Sequence, residues 1–390
     1  MRRFLIGLTG GLALAYVAVR GYDAVRELEA PAPPVDPDPR SYGRTRRRLM
    51  VAGMARSLAT LGWFAFGLAP RTRDQTPAGV RQLRLALSAG ALAASAALEF
   101  PVEFVEEFVL ERTYGMTKRR AGEWALERLK VLAVTLAVTL PLVELFAAAV
   151  RRAPRRWPLL ATLGVAPLLV LANLIGPTLI LPLFNRYEPF EGELADRLRR
   201  LAARYGVGDA EILRVDMSRQ TEKANAFVTG LFGTHRIVLG DTLIEHFAPD
   251  EIEFVVAHEL GHYVLRDIWR SVGIGTVSTG LVLILAAHLA ARSRDEPPET
   301  IRSLLRLAFF ASVCGTALSP FTAAFSRSRE RAADRFALRA TQNPRAGIAA
   351  FTRLRGRNLA EDEQPPWMEI LFSSHPSLGS RIATLAEAGR

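Results

Sequence analysis

One short segment of the chain has residue types and a spacing that could bind a metal and activate water. His258 and His262 stand four residues apart, and Glu259 lies between them. On a helix, residues four apart share a face, so both imidazoles can reach one Zn²⁺ while Glu259 points to the open coordination position. Zinc lowers the pKa of a bound water toward ~7, and a carboxylate there can accept its proton as the water attacks a carbonyl. The segment predicts a catalytic zinc site with Glu259 as general base.

The residues before this motif favour the helix that the geometry requires. Pro249 suits a first helical turn, and Glu251 favours the positive end of the helix dipole. Ile252 and Val255 belong to an apolar stripe that can pack against a core. The alternative is a chance pattern on an exposed helix.

A catalytic zinc usually has three protein ligands, so one must come from elsewhere in the chain. Glu330 lies in segment 326–338, which reads as a helix, and Asp334 follows one turn later on the same face. A carboxylate at 334 can accept the outer N–H of a metal-bound histidine. Glu296 and Glu299 fall in a loop on the opposite side of the predicted membrane. Spacing alone leaves open that Glu330 and Asp334 pair with neighbouring arginines on a solvated helix.

Apolar residues make up 49% of the 390 residues, which favours a bilayer over water as the solvent. A helix needs about 20 apolar residues to cross a bilayer, and seven stretches approach that length. The first follows Met1-Arg2-Arg3 and could instead be a cleaved signal peptide. The stretches are 4–20, 49–69, 83–105, 129–149, 158–181, 271–291 and 304–325.

Charge and cysteine usage exclude several other classes. The net charge of +11 is spread over many short segments, whereas nucleic-acid binders gather it on one face or tail, so no nucleic-acid partner is expected. The single cysteine, Cys314, rules out an intramolecular disulfide. Several predicted spans carry ionisable residues, Arg56 and Glu144 among them, and such charges need protein or water around them. Together they favour an aqueous chamber inside the membrane.

The two long polar stretches predict a split domain, because the pair of spans between them returns the chain to the same side of the membrane. Short strands are predicted at 211–217, 225–232 and 235–240. Arginines clustered before the second span favour a cytoplasmic position for this domain. The predicted organisation is a membrane region at 1–182 with five spans and a proline-rich linker at 31–39, a first peptidase part at 183–270, two further spans at 271–325, and a second peptidase part at 326–390.

The sequence resembles the zinc-dependent CAAX prenyl proteases, membrane gluzincins that have seven spans in their eukaryotic members. The resemblance covers most of the chain and rests on motifs distributed along it. They are His258-Glu-Leu-Gly-His262, Glu330-Arg-Ala-Ala-Asp334, Pro182-Leu-Phe-Asn185 followed by Glu188-Pro189, Asn225-Ala-Phe227 with Gly230, Arg236-Ile-Val-Leu239 leading into Asp241-Thr-Leu243, and His375-Pro376 with Arg381.

The resemblance implies a mainly α fold: a seven-helix transmembrane bundle enclosing a chamber, joined to a split α+β peptidase domain with a small sheet. It implies one Zn²⁺ per chain, bound by three ligands, with Glu259 as base and Asp334 supporting a ligand. It also assigns roles that spacing cannot: an edge strand would bind substrate, and His375 would bind substrate or stabilise the oxyanion. The residues concerned are the ligands His258, His262 and Glu330, and the strand residues Asn225, Ala226 and Phe227.

The first functional hypothesis is an endopeptidase of the bacterial inner membrane that removes C-terminal residues from prenylated CAAX proteins. The enzymatic alternative is quality control of membrane proteins, as in the related HtpX-type proteases. The alternative of another class is a non-catalytic scaffold or transporter with a vestigial site. The expected partners are a peptide or protein substrate, whose prenylation the sequence leaves open, and the lipid bilayer. Nothing in the sequence indicates an oligomeric state.

Overall fold

The computed structural model describes residues 38–68, 77–231, 233–291 and 300–390. Within these ranges, six helices are long and apolar enough to cross a membrane. At most 17% of the most apolar window of each is buried inside the protein, so these side chains face outward to lipid or to an internal space. Each of the last six predicted stretches coincides with one of these helices. The first, at 4–20, lies outside the described residues, as does most of the proline-rich linker.

Four of these helices precede the peptidase region, and three of them continue into π-helical or 3-10 segments. The helices are α1 Pro39–Trp63, continued by the π-helical turn Phe64–Leu68; α2 Pro77–Glu103, continued by Phe104–Val109 and Leu110–Thr113; α3 Ala121–Arg152; and α4 Trp157–Ile175, continued by Gly176–Ile180 and Leu181–Leu183. Asp38 caps α1, because its carboxylate accepts from the backbone N–H groups of Arg40 and Ser41.

The remaining elements alternate short strands with helices and then return to the membrane twice. They are β1 Tyr187–Pro189, α5 Glu193–Arg204, β2 Glu211–Val215, β3 Ala226–Thr229, β4 Arg236–Gly240, α6 Asp241–His246, α7 Pro249–Val264, α8 Asp267–Ala291, α9 Ile301–Thr341, α10 Pro344–Arg357, α11 Pro366–Leu371 and α12 Leu378–Ala388. The spans α8 and α9 run on into the peptidase region, so residues 270 and 271 share one helix, as do residues 325 and 326.

The spanning helices contact one another in a closed ring. Around it, α9 packs on α8, α8 on α4, α4 on α3, α3 on α2, and α1 on α9. The contact between α1 and α2 is made by Arg56, whose Nε lies 2.6 Å from Glu99. Helix α9 also contacts α2, and few apolar side chains are buried between the spans.

Arginine–glutamate pairs account for several of the ionisable residues inside these spans. Arg84 on α2 is 1% exposed and forms a bidentate pair with Glu144 on α3, at 2.8 and 2.7 Å. Arg128 on α3 lies 2.9 Å from Glu107 at the end of α2. An unpaired charge at this depth would be costly, so these pairs join neighbouring spans as well as neutralising each other.

The sheet has strand order β1-β2-β4-β3, with β2 and β4 parallel and the two outer strands antiparallel. The three predicted strands are present, and β1 is an additional one that the sequence reading missed. Phe227 of β3 pairs with Val238 of β4, which leaves the other edge of β3 without a partner strand among the described residues.

One hydrophobic core joins the two polar stretches of the chain. Phe254 and Leu260 from α7 are fully buried together with Phe336 from α9, Phe351 from α10 and Leu385 from α12. Residues from both sides of the intervening membrane hairpin therefore pack as one body.

Candidate metal centre

The helix α7 presents the histidine pair on a rigid base. Pro249 occupies its first turn, and Glu251 caps it by accepting the backbone N–H of Ala248 at 2.9 Å. The side chains of Ile252, Phe254 and Leu260 are at most 1% exposed. The predicted helix is confirmed, and because one face is locked in the core, the direction of His258 and His262 is fixed.

A glycine lets α9 approach α7 closely enough to complete the site. A Cβ added to Gly261 would lie 3.1 Å from Phe336 Cδ1 and 3.2 Å from Ala333 Cα. These distances are shorter than ordinary van der Waals contact, so a larger residue would push the helices apart. The close approach brings Glu330, three residues before Ala333, toward the histidines.

The donor atoms of His258, His262 and Glu330 lie within 4.8 Å of one another. The two Nε2 atoms are 3.2 Å apart, and each lies 3.3 Å from an oxygen of Glu330. His258 and Glu330 are buried, at 6% and 5% exposure. Two imidazole nitrogens and a carboxylate oxygen form a donor set typical of catalytic zinc. The alternative of a solvated helix with Glu330 and Asp334 paired to neighbouring arginines does not describe this arrangement.

The outer nitrogen of His258 contacts the carboxylate expected from the sequence. Asp334 Oδ1 lies 2.9 Å from His258 Nδ1. Arg381 from α12 donates to both oxygens of Asp334, at 2.6 and 2.9 Å, and its guanidinium stacks 4.0 Å from the Phe351 ring centroid. This chain of contacts favours a proton on Nδ1, and Nε2 is the nitrogen that faces His262 and Glu330.

The outer nitrogen of His262 contacts a residue that sequence reasoning missed. Asp267 Oδ2 lies 3.0 Å from His262 Nδ1, and Arg329 Nε donates to the other oxygen at 2.6 Å. Asp267 is 6% exposed and begins α8. The only sequence signal was an acidic residue immediately before an apolar span. The two histidines are thus supported in the same way, each by an aspartate that is itself paired with an arginine.

Glu259 and His375 lie at this centre in different environments. Burial raises the pKa of the Glu259 carboxyl, while the nearby histidines oppose that shift. His375, which is 62% exposed, has Nδ1 2.8 Å from Glu330 Oε2. The predicted neighbourhood of His375 is therefore present, although spacing along the chain could not have placed it.

The imidazole of His258 holds its proton strongly. Burial lowers its pKa, but hydrogen bonds to Asp334 and Glu330 outweigh burial and raise the pKa to about 9. For His262, burial is likewise outweighed by the Glu330 carboxylate, and the pKa is raised. A metal must displace these protons to bind, so binding at this site is coupled to proton release.

The strand β3 lies against the metal-site helix. It packs on α7, and it is one of the two outer strands of the sheet. Asn225 immediately precedes it; its side chain is exposed, and its backbone carbonyl accepts from Gly240 N–H at 2.9 Å. Ala226 is buried and Phe227 is half-buried. An edge of this kind can accept an extended peptide by backbone pairing.

A cavity of about 360 Å³ lies next to the donor atoms, between the membrane helices. His262, Asp267 and Glu330 contribute to its wall, together with Asn173 from α4 and Ser271 from α8. The cavity lies between α4, α8 and α9, and apolar side chains, Leu169, Val272 and Phe325 among them, share its wall with these polar ones.

Two family models cover the chain almost continuously. Residues 39–186 match the model described as the CAAX prenyl protease N-terminal region with five membrane helices. Residues 190–388 match the model of peptidase family M48. The described part of 39–186 contains four of the candidate spans. The second match contains every residue of the metal centre.

Named relatives agree with these matches. A Bacillus subtilis protein named uncharacterized metalloprotease YhfN is 28% identical over 282 residues, covering 69% of this chain and 65% of that protein. CAAX prenyl protease 1 of Saccharomyces cerevisiae is 28% identical over 318 residues, covering 75% of this chain and 69% of that protein. The CAAX prenyl protease 1 homolog of Oryza sativa is 28% identical over 316 residues, covering 78% of this chain and 73% of that protein.

The crystal structure of Saccharomyces mikatae Ste24p has the same fold. It superposes with a TM-score of 0.77 at 24% identity and covers 96% of both chains. The ring of membrane helices and the peptidase domain are thus one architecture, as the resemblance implied. The chain belongs to peptidase family M48 and is a membrane-embedded metallopeptidase of the CAAX prenyl protease type.

Proposed function

We propose that this chain hydrolyses peptide bonds with one zinc ion held by His258, His262 and Glu330, and with Glu259 as general base. The observation that carries the proposal is the convergence of the three donor atoms within 4.8 Å. Both Nδ1 atoms are engaged by aspartates, at 2.9 and 3.0 Å, so both Nε2 atoms are available to one ion. A scaffold with a vestigial site would not need this double support.

The residues fit zinc better than a hard cation. Imidazole nitrogens suit zinc, whereas Mg²⁺ and Ca²⁺ prefer sites made of oxygen atoms. When bound, zinc would lower the pKa of a coordinated water to about 7 and polarise the scissile carbonyl. The remaining steps belong to side chains of this protein.

Glu259 moves the proton. Burial raises the pKa of its carboxyl, which makes the group a better proton acceptor than an exposed glutamate. Its carboxylate accepts the proton of the attacking water and then delivers it to the amide nitrogen of the departing fragment. Transfer to the leaving nitrogen is required because an unprotonated amide anion is a poor leaving group.

His375 is proposed to donate a hydrogen bond to the oxyanion or to the substrate. Its position 2.8 Å from Glu330 supports this, because the ring borders the metal donors while remaining 62% exposed. Asp334, held by Arg381, is proposed to orient His258 by accepting its Nδ1–H.

The substrate is proposed to bind as an added strand. Asn225, Ala226 and Phe227 lie at the outer edge of the sheet, and β3 packs on the helix of the histidines. Backbone pairing along this edge would hold an extended peptide in a fixed register, so one bond is presented to Glu259.

The proposed substrate is the C-terminal segment of a prenylated CAAX protein, cleaved at a bacterial inner membrane with the peptidase domain toward the cytoplasm. Support comes from the names of the yeast and rice relatives and from the arginines at the start of α1. The proposed organisation keeps a membrane region at 1–182, peptidase parts at 183–270 and 326–390, and two spans at 271–325 between those parts.

The decisive experiment compares wild type with Glu259→Gln on three substrates: a prenylated CAAX peptide, its unprenylated twin, and an unfolded membrane protein. We expect wild type to cleave the prenylated peptide after zinc loading, and Glu259→Gln to bind zinc without cleaving. Cleavage of the membrane protein alone would replace the CAAX proposal with quality control. No cleavage by a zinc-loaded wild type would overturn the peptidase proposal.

A further inference from the structure

A cluster of three polar side chains joins the membrane helices to the start of the edge strand. It consists of Tyr42 on α1, Glu111 at the end of α2, and Lys223, and we call it the anchor cluster. Lys223 Nζ lies 2.8 Å from Tyr42 Oη and 2.8 and 2.9 Å from the two oxygens of Glu111. The hydroxyl of Tyr42 donates in turn to Glu111. Tyr42 is 2% exposed and the Glu111 side chain 13%, so both acceptors are shielded from water, while the Lys223 side chain is 26% exposed.

The anchor cluster matches the donors of a lysine. Its ammonium has three N–H donors, and the cluster offers three acceptors: the phenol oxygen and two carboxylate oxygens. A guanidinium has a rigid planar fork that suits a carboxylate, so it would have to reach the phenol oxygen with a separate donor in the same plane. Lysine occurs at only three positions in this arginine-rich chain. The lysine at 223 therefore matches the number of acceptors in the anchor cluster as well as the charge of Glu111.

The backbone next to Lys223 is held by elements from several parts of the chain. Its carbonyl accepts from Thr242 Oγ1 at 2.9 Å. The amide of Asn358 pairs with both backbone groups of Ala224, at 2.9 and 3.3 Å, as a neighbouring strand would. Glu222 N–H donates to the Met116 carbonyl, in the loop that follows α2, at 2.9 Å. The strand thus begins from a fixed point.

This fixed point matters because β3 has a partner strand on one side only. Its pairing with β4 constrains the inner edge, whereas the outer edge, which the proposed function assigns to the substrate, has no partner among the described residues. Lys223 lies two residues before Asn225, so movement at 223 is transmitted directly to the proposed binding strand.

We infer that the anchor cluster positions the substrate-binding strand, so that the ends of the first two described spans set the register in which a peptide meets the metal centre. Tyr42, Glu111 and Lys223 are positioning residues that act through Asn225, Ala226 and Phe227. The inference rests on the proposed function, because it assigns the substrate to that strand. It adds a dependence of cleavage on the membrane region.

A second ion pair provides a matched control. Arg47, on the same helix as Tyr42, pairs with Glu361, which follows α10, with Nη2 3.1 Å from Oε1. Both carboxylates are largely buried, at 13% exposure for Glu111 and 11% for Glu361. Each pair joins a membrane helix to the peptidase domain, but the hydrogen bonds of Glu361 within the described residues go to Arg47 and to no residue of 222–229.

The test measures amide hydrogen exchange and peptide cleavage for Glu111→Gln, Lys223→Arg and the control Glu361→Gln. We expect Glu111→Gln and Lys223→Arg to accelerate exchange at 224–229 by about tenfold, as local opening of one element would. Exchange at 252–260 and the zinc content should stay at wild-type values. KM should rise and kcat change little, with additional products cut two residues away, because strand pairing repeats every two residues.

Unchanged exchange at 224–229 would overturn the inference, as would an equal acceleration in Glu361→Gln. If Glu111→Gln fails to fold, Tyr42→Phe removes one hydroxyl only and is read by the same exchange measurement. If the variants accelerate exchange at 224–229 but the wild type cleaves no peptide, the anchor cluster still positions the strand. The peptidase proposal is then the one overturned.

Discussion

Asp267 Oδ2 lies 3.0 Å from His262 Nδ1, on the side of the imidazole opposite to Glu330. The same aspartate accepts from Arg329 Nε at 2.6 Å, so it is fixed from both sides. This relationship mirrors the contact of Asp334 with His258, where Arg381 takes the place of Arg329. The two histidines of one motif are thus oriented by carboxylates from two different helices.

The first prediction concerns this carboxylate. Asp267→Asn keeps the volume but weakens the acceptor, so the zinc dissociation constant should rise by about ten- to a hundredfold. Competition with a chromogenic chelator measures it. Asp250→Asn is the control, since Asp250 lies on the same histidine helix, is 55% exposed and pairs with Arg197. Equal zinc affinity in Asp267→Asn and wild type would show that Asp267 does not orient the ligand.

The second prediction separates metal binding from proton transfer. Glu259→Gln removes the proton acceptor and leaves His258, His262 and Glu330 in place. We expect kcat to fall at least about a hundredfold, the scale of general base catalysis, while one zinc per chain is retained. Metal analysis and peptide cleavage on the same sample test this. Loss of zinc together with activity would assign Glu259 a structural role.

The third prediction concerns the close approach of α7 and α9. Gly261→Val places atoms where Phe336 and Ala333 already lie, at 3.1 and 3.2 Å from the first added carbon. Overpacking of this kind costs about 1–3 kcal/mol of stability, and here it also moves Glu330 away from the histidines. The temperature of thermal unfolding in detergent and the affinity for zinc should both decrease.

Gly273→Ala is the control for that substitution. Gly273 lies on α8, and a Cβ there would meet nothing within 4 Å. Its unfolding temperature and zinc affinity should equal those of wild type. If both variants lose unfolding temperature and zinc affinity to a similar degree, the effect of Gly261→Val does not come from the close approach of α7 and α9.

The fourth prediction concerns the ion pair between α2 and α3. Arg84→Met leaves Glu144 without its bidentate partner, and breaking a buried pair in this way costs about 3–5 kcal/mol. The unfolding midpoint in mixed detergent and denaturant should decrease accordingly. Arg81→Met is the matched control, since Arg81 lies 3.4 Å from the same glutamate but is 67% exposed. Equal midpoints for the two variants would contradict a structural role for burial of the pair.

The sequence by itself determined the features that depend on short spacing. Residues four apart share a helix face, so His258 and His262 were predictable as a pair, and Glu330 with Asp334 as another. The apolar length of a span is also a local property, and it located all six candidate spans among the described residues.

Tertiary structure alone decided which helices meet. Asp267 and Arg329 are 62 residues apart, and Arg381 is 47 residues from Asp334, so no periodicity relates them. Lys223 and Glu111 are separated by 112 residues and all of α3 and α4. Such contacts follow from the packing of spans around a ring and from the glycine that lets α7 approach α9. The sequence predicted the proposed ligands and Asp334, whereas packing brought Asp267, Arg329 and Arg381 to them.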